Sequence, residues 1–326
     1  MIGYGKEVKM AWPIVRVALS VLLLGVVIAQ VELVDLWRHM ASADPTLVAA
    51  GFAAAIVSWS VNTQKWKGLL RALGEEQPFC SLLALNFTGL FYSLVLPGQV
   101  SGEVVKGMKL SKGGVRASSV AVSIAVDRAT GVVALAVLVL GGTLLAPWVP
   151  LAGVASLAAL VLLALVLVPW ALVVTGHLGG VPPSLGAGGG LLGAVLRALS
   201  ALWNAFIAYR KPSVMGVALF YSFAAQLLVV MSNYMVSQAL DIPISFISLT
   251  WVVAAVSILH LVPISLAGLG VREGAYVFLL YQYGVPMSQG LGLSLLVFGI
   301  IVGQGLIGGV IEAVSAGRTL SVAQRN

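Results

Sequence analysis

The stretch 150–175 is almost purely aliphatic. A bilayer core of about 30 Å takes roughly 20 consecutive apolar residues of helix, and this run meets that length without a charge. Comparable runs cover 12–31, 47–63, 115–146, 214–238 and 288–315. The chain is 60% hydrophobic and only 9% charged, against about 25% charged in a typical soluble domain. So little charge cannot coat a water-facing surface, and lipid removes that requirement. The expected fold is an all-α polytopic membrane protein with about 6–8 transmembrane helices.

The same scarcity excludes other classes. Cys80 is the only cysteine, and His39, His177 and His260 are the only histidines. A disulfide framework is therefore impossible, and no zinc-ligand spacing exists, so neither metal nor cofactor is expected. The formal charge of +7 suits cytoplasmic loops facing anionic lipid better than nucleic acid. Lys6 and Lys9 precede the first apolar run as in a signal sequence. Ala41 and Ala43 lie too far downstream for a usual cleavage site, so an uncleaved first span is expected. A Gly- and Pro-rich loop over 176–190 leads into 191–209. There Arg197, Ser200 and Asn204 form a thin polar stripe, fitting an interfacial helix or a further span.

Two apolar segments are broken. Residues 79–96 run into Pro97-Gly98-Gln99-Val100-Ser101-Gly102, and residues 246–262 run into a break containing Pro263, Gly268 and Gly270. Proline removes a helix hydrogen bond and glycine permits unusual backbone angles. Such breaks at membrane depth survive only inside protein or beside water, so two re-entrant helical hairpins are expected. The segments also align. Phe79 matches Phe246 at an offset of 167, while Pro97, Gly102 and Lys106 match Pro263, Gly268 and Arg272 at 166. The expectation is a single membrane domain over 1–326 built on an inverted repeat. Its first half is 47–146 with a hairpin at 79–110, and its second is 213–315 with a hairpin at 246–284. With both termini cytoplasmic, Lys65, Lys67, Arg71 and most other cations fall at the inner face of a cytoplasmic (inner) membrane. In the last span, Gly305 and Gly309 form a GxxxG that lets another helix approach closely.

Candidate chemistry follows from charges where lipid should be. Asp127 and Arg128 sit inside the 115–146 run, where an isolated charge costs at least ~2.5 kcal/mol. Neighbours at i, i+1 diverge on a helix, so each needs a partner elsewhere. Functionally, Arg128 would bind an anionic headgroup and Asp127 would orient it or carry a proton. A structural ion-pair network fits equally. Glu103 and Lys106 follow the first break at i, i+3 and share a face if helix resumes. Arg272 and Glu273 follow the second break. Glu312 faces either the core, as partner to Arg128, or the inner surface. Asn62, Gln64, Asn86, Gln226, Asn233, Gln238 and Gln304 are polar enough to line a cavity, or to bond between helices. No nucleophile elbow, zinc-protease motif or dinucleotide loop occurs, so no catalytic residue is assigned.

Several motifs together resemble one family. They are 66–74 (Trp-Lys-Gly-Leu-Leu-Arg-Ala-Leu-Gly), 87–98 through Pro97-Gly98, Gly102-Glu103-x-x-Lys106, Asp127-Arg128-x-x-Gly131, and 263–274 through Arg272-Glu273-Gly274. In this order they are similar to the lysylphosphatidylglycerol synthase transmembrane-region family over most of 47–315. The resemblance implies a membrane module that moves lipids across the bilayer, here without the soluble synthase domain of bifunctional members. The family commonly has Gly-Gly-Asp-x-x-Arg where this chain has Ser101-Gly102-Glu103-x-x-Lys106. A lysine binds phosphate as a point charge, without the bidentate arginine fork.

The expected function is a flippase for an anionic phospholipid or a polyprenyl-phosphate-linked lipid. Lys106, Arg128 and Arg272 would contact phosphate, with Glu103, Asp127 and Glu273 orienting them. The alternative is a membrane-embedded transferase acting on a lipid-linked substrate, and a third reading is a scaffold for soluble partners. Membrane lipids are the expected partners, with room for a homo-oligomer and a separate lipid-modifying enzyme.

Overall fold

The computed structural model describes residues 25, 26, 28, 29, 31–96, 100–146, 151–176, 200–261 and 270–323, with side chains as far as 315. Most of the expected first span lies outside these residues. So do Pro97, Gly98, Pro263 and Gly268 of the two breaks, and Arg197. The described chain is helical throughout. It runs α1 (Leu33–Ala41), α2 (Pro45–Ala72), α3 (Phe79–Val95), α4 (Ser101–Lys112), α5 (Ala117–Leu145) and α6 (Ala152–Val174). After helical residues 200–207 come α7 (Pro212–Ala239), α8 (Phe246–Leu259), α9 (Val271–Tyr281) and α10 (Met287–Ala323). Five helices are long and apolar enough to cross a membrane: α2, α5, α6, α7 and the 287–315 part of α10. The protein is a polytopic all-α membrane protein, as its apolar runs predict.

The element order of α2–α5 recurs in α7–α10, and so do details of the ends. Both α2 and α7 begin with proline in the first turn, where a missing N–H costs nothing. Both end in a left-handed residue, Gly74 at φ 79° and Asp241 at φ 51°. In each the following amide reaches back five residues, Glu75 to Leu70 at 3.0 Å and Ile242 to Ser237 at 2.9 Å. This is the closure that satisfies a helix's last carbonyls.

Helices α2 and α7 form the central pair and run antiparallel. A Cβ on Gly51 would lie 3.0 Å from the Ser232 carbonyl oxygen. Seven residues along α2 and seven back along α7, Ser58 Oγ donates to the Ala225 carbonyl at 2.9 Å. The two partners in that bond are 167 residues apart, the same offset that aligns Phe79 with Phe246.

Two further helix pairs flank this central one. Helix α3 packs on α10, and α8 packs on α5. Both contacts depend on glycine. A Cβ on Gly308 would sit 1.9 Å from the Phe87 carbonyl, and Gly305 and Gly309 face Leu94 and Phe91. The GxxxG therefore does meet a helix, with Gly308 making the nearest approach. On the other side Trp251 of α8 covers Gly142 of α5, and its indole donates to Thr143 Oγ1 at 3.2 Å.

Helix α3 has 17 residues and α8 has 14, or about 25 Å and 21 Å at 1.5 Å per residue. Both fall short of a ~30 Å hydrocarbon core. Helix α4 doubles back along α3. Gly102 rests on the Gly89 carbonyl, where an added Cβ would come to 2.0 Å, and Ser101 Oγ donates to the Tyr92 carbonyl at 3.3 Å. At the next turn Arg116 donates to Glu75 at 2.6 Å and to the Leu73 carbonyl at 2.7 Å, tying the end of α2 to the start of α5. That guanidinium holds the Glu75 carboxyl below its usual range.

The described part of the candidate interfacial helix packs inward. Tyr209 is fully buried, its hydroxyl donates to the Leu69 carbonyl at 3.0 Å, and its backbone carbonyl accepts from the Trp170 indole at 3.2 Å. Gly102→Ala is the sharpest test of the packing. Prying α4 from α3 should destabilise the protein by about 1–3 kcal/mol. The readout is a lower unfolding midpoint in detergent, with Gly131→Ala, which meets open space, as the control.

Candidate functional site

A cavity of about 320 Å³ lies between the central pair, α4, α5 and α10. Helix α2 contributes Ser58, Asn62 and Lys65, which recur at helical spacing along one face. Glu103 and Lys106 come from α4, and Asp127 and Arg128 from α5.

Asp127 and Arg128 diverge, as adjacent helix positions must. Asp127 turns to α2, where its Oδ1 lies 3.0 Å from Lys65 Nζ. Lys65 also donates to the Asp127 carbonyl and to Ser222 Oγ, both at 3.1 Å. Arg128 turns to α4 and pairs with Glu103. Glu103 bridges it to Lys106, 2.7 Å away and one turn along α4. Lys106 is fixed from behind. Asn86 Oδ1 accepts from it at 3.2 Å, and its ammonium lies 4.5 Å from the centre of the Trp66 ring. Asn86 in turn donates to Thr63 Oγ1 at 2.8 Å, and Trp66 donates to Ser123 Oγ at 3.1 Å. The side chains of Lys65, Lys106, Asp127 and Glu103 are 2–13% exposed, while Arg128 is 60% exposed. One cation is thus presented, on a base of neutralised charges.

The structure brings together Glu103, Lys106, Asp127 and Arg128, with Asn86 behind them. It does not bring in Glu312, Arg272 or Glu273. Glu312 pairs with Lys109 and accepts from the Tyr92 hydroxyl at 3.2 Å. Of the two placements open to Glu312, the core pairing with Arg128 is not the one found. Glu312 stands one turn beyond Gly308 and Gly309, on the face that packs against α3. The cavity is lined instead by Gln304, Ile300 and Val297 of the same helix. Arg272 and Glu273 are buried and paired with each other at the start of α9. Glu273 also accepts from the Gly270 amide at 2.6 Å, at a φ of 82° that favours glycine, and the Arg272 guanidinium lies over the Phe298 ring.

Lys65 is a site residue that sequence reasoning did not single out. It follows the apolar run 47–63 and groups by sequence with the cations at or near the inner face. Helix α2 instead continues to Ala72, so Lys65 points into the bundle. The Ser58–Asn62–Lys65 spacing was the available signal. The cavity's neutral wall of Asn62, Gln226, Asn233 and Gln304 was expected as a candidate lining, while Gln64 and Gln238 do not line it.

The sequence profile described as lysylphosphatidylglycerol synthase TM region matches residues 14–308. The chain belongs to that family. No curated protein matches it. In this family member two interhelical ion pairs, Lys65–Asp127 and Arg128–Glu103, join α2, α4 and α5 around one space. Lys65→Met should leave Asp127 buried and unpaired, costing about 3–5 kcal/mol, whereas Lys65→Met with Asp127→Leu should recover most of the loss. Chemical unfolding in detergent separates the two outcomes. Equal stability of both variants would mean the pair carries no structural weight.

Proposed function

We propose that this protein is a lipid flippase, moving a lipid with an anionic or phosphate-linked headgroup across the cytoplasmic membrane. The observation that carries this reading is the cavity whose one exposed cation, Arg128, stands on a neutralised base inside a bundle of membrane-length helices. A phosphate would dock on Arg128 and Lys106. Glu103 holds both cations in place and would release them in part as phosphate arrives. Asp127 and Lys65 form the floor. Arg272 and Glu273 would act at one remove, by holding α9 in position against α10.

The antiparallel α2–α7 pair supports an inverted arrangement of the two halves, with α3–α4 and α8–α9 as re-entrant hairpins entering from opposite faces. Such halves can exchange access by rocking about the central pair, with acyl tails remaining in lipid. In vesicles carrying a fluorescent anionic phospholipid, Arg128→Ala and Lys106→Ala should each slow transbilayer movement by at least about tenfold, the scale of one charge-assisted contact. Wild-type rates in both variants would defeat the assignment. Orientation has its own test in Cys80, exposed at the start of α3. A membrane-impermeant maleimide should label it from the cytoplasmic side only. Labelling from outside would reverse the topology.

A further inference from the structure

The cavity has two chemically different ends. The charged end holds Lys65, Lys106 and Arg128 against Glu103 and Asp127, a balance of 3 − 2 = +1. The other end holds only neutral groups: Trp59, Asn62, Gln226, Ser232, Asn233 and Gln304. On α2, Trp59 stands six residues before Lys65, about 9 Å along the axis at 1.5 Å per residue. The whole space, about 320 Å³, is at the small end of the ~300–1,000 Å³ usual for ligand sites. It is of a size to hold a headgroup.

Both carboxylates of the charged end are ion-paired, although Glu103 Oε2 and Asp127 Oδ1 accept no hydrogen bond. Glu103 Oε2 lies 2.7 Å from Lys106, its Oε1 pairs with Arg128, and Asp127 Oδ1 lies 3.0 Å from Lys65. A ligand ammonium would find no carboxylate without a cation partner among the described residues lining the cavity, and would meet Arg128. The neutral end makes the opposite offer. Gln304 is 3% exposed, and its Oε1 accepts from the Trp59 indole at 3.2 Å. Its Nε2 has no partner. A buried amide donor left open calls for an acceptor, and a hydroxyl supplies one. The amides of Asn62 and Gln226 on the same wall can each donate and accept.

We infer that the cavity takes a lipid whose phosphate carries an uncharged polyhydroxyl group, such as a small polyol or one sugar ring, and discriminates against headgroups ending in an ammonium. This rests on the flippase reading for its location and adds the headgroup class. The phosphate takes Arg128 and Lys106, and the hydroxyls take Gln304 Nε2 and its neighbouring amides.

The test is binding of short-chain lipids to the full chain in detergent, read by calorimetry. Phosphatidylglycerol and phosphatidylinositol should bind at least about tenfold more tightly than phosphatidylethanolamine or lysyl-phosphatidylglycerol. Gln304→Leu should weaken the two polyol lipids by about tenfold and leave phosphatidic acid unchanged. Glycerol 3-phosphate, which has the headgroup but no tails, should bind more weakly than phosphatidylglycerol. Equal strength there would assign the site to a soluble phosphate ester and overturn the lipid. Ethanolamine or lysyl lipids binding as tightly as the polyol lipids would overturn the headgroup class. So would a Gln304→Leu loss that extends equally to phosphatidic acid. The wild-type headgroup series does not depend on that variant folding. Transport is scored separately in vesicles. The expected binding order without transport would sink the flippase reading and leave this inference standing, whereas transport without headgroup preference would do the reverse.

Discussion

Charges inside this bundle can exist only in company. Lys65, Glu103, Lys106, Asp127 and Arg128 come from three helices, and any one alone at that depth would be costly in lipid. Together they form two linked groups, Lys65 with Asp127, and Lys106 with Glu103 and Arg128. These pairs fix how α4 and α5 rotate toward α2. Once that rotation is set, the leftover positive charge faces the cavity. The same arrangement thus settles helix packing and leaves one cation, Arg128, available to a ligand.

Close approach of the surrounding helices frames this pairing. Glycine at Gly89 and Gly102 brings α4 onto α3, Gly142 brings α8 onto α5, and Gly308 brings α10 onto α3. Lipid gives no hydrophobic drive for helices to associate, so tight backbone contact and interhelical hydrogen bonds carry the association. The α2–α7 pair follows this rule with Gly51 and the Ser58 hydroxyl. The apolar faces left over, as on α6 with exposed Val154, Leu157 and Leu165, are ordinary surfaces for a chain surrounded by lipid.

Much of the site was legible before the fold. The divergence of Asp127 and Arg128 follows from 100° per residue, and it correctly demanded two separate partners. The i, i+3 spacing of Glu103 and Lys106 correctly placed them on one face. The partners were not legible, because Lys65 and Glu103 lie 62 and 25 residues away, and helix periodicity says nothing at that range. Glu312 shows the same limit. Its position in an apolar run marked it as buried or interfacial, while the glycine face of α10 sent it to Lys109. Arg272 was matched to Lys106 by offset, and it too pairs with a glutamate and lies over an aromatic ring, Glu273 and Phe298, but it does so outside the lining of the cavity.

By itself the sequence determined that this chain is an all-α membrane protein, since runs such as 150–175 have no other stable environment. It also determined its family, through short motifs that survive as strings of residues. Only the tertiary structure decided which charges share a space, that Lys65 belongs among them, and that the cavity ends in amides rather than carboxylates. The physical reason is range. Hydropathy and helical spacing act within a few turns, whereas a binding cavity is made by side chains on helices that meet only after packing.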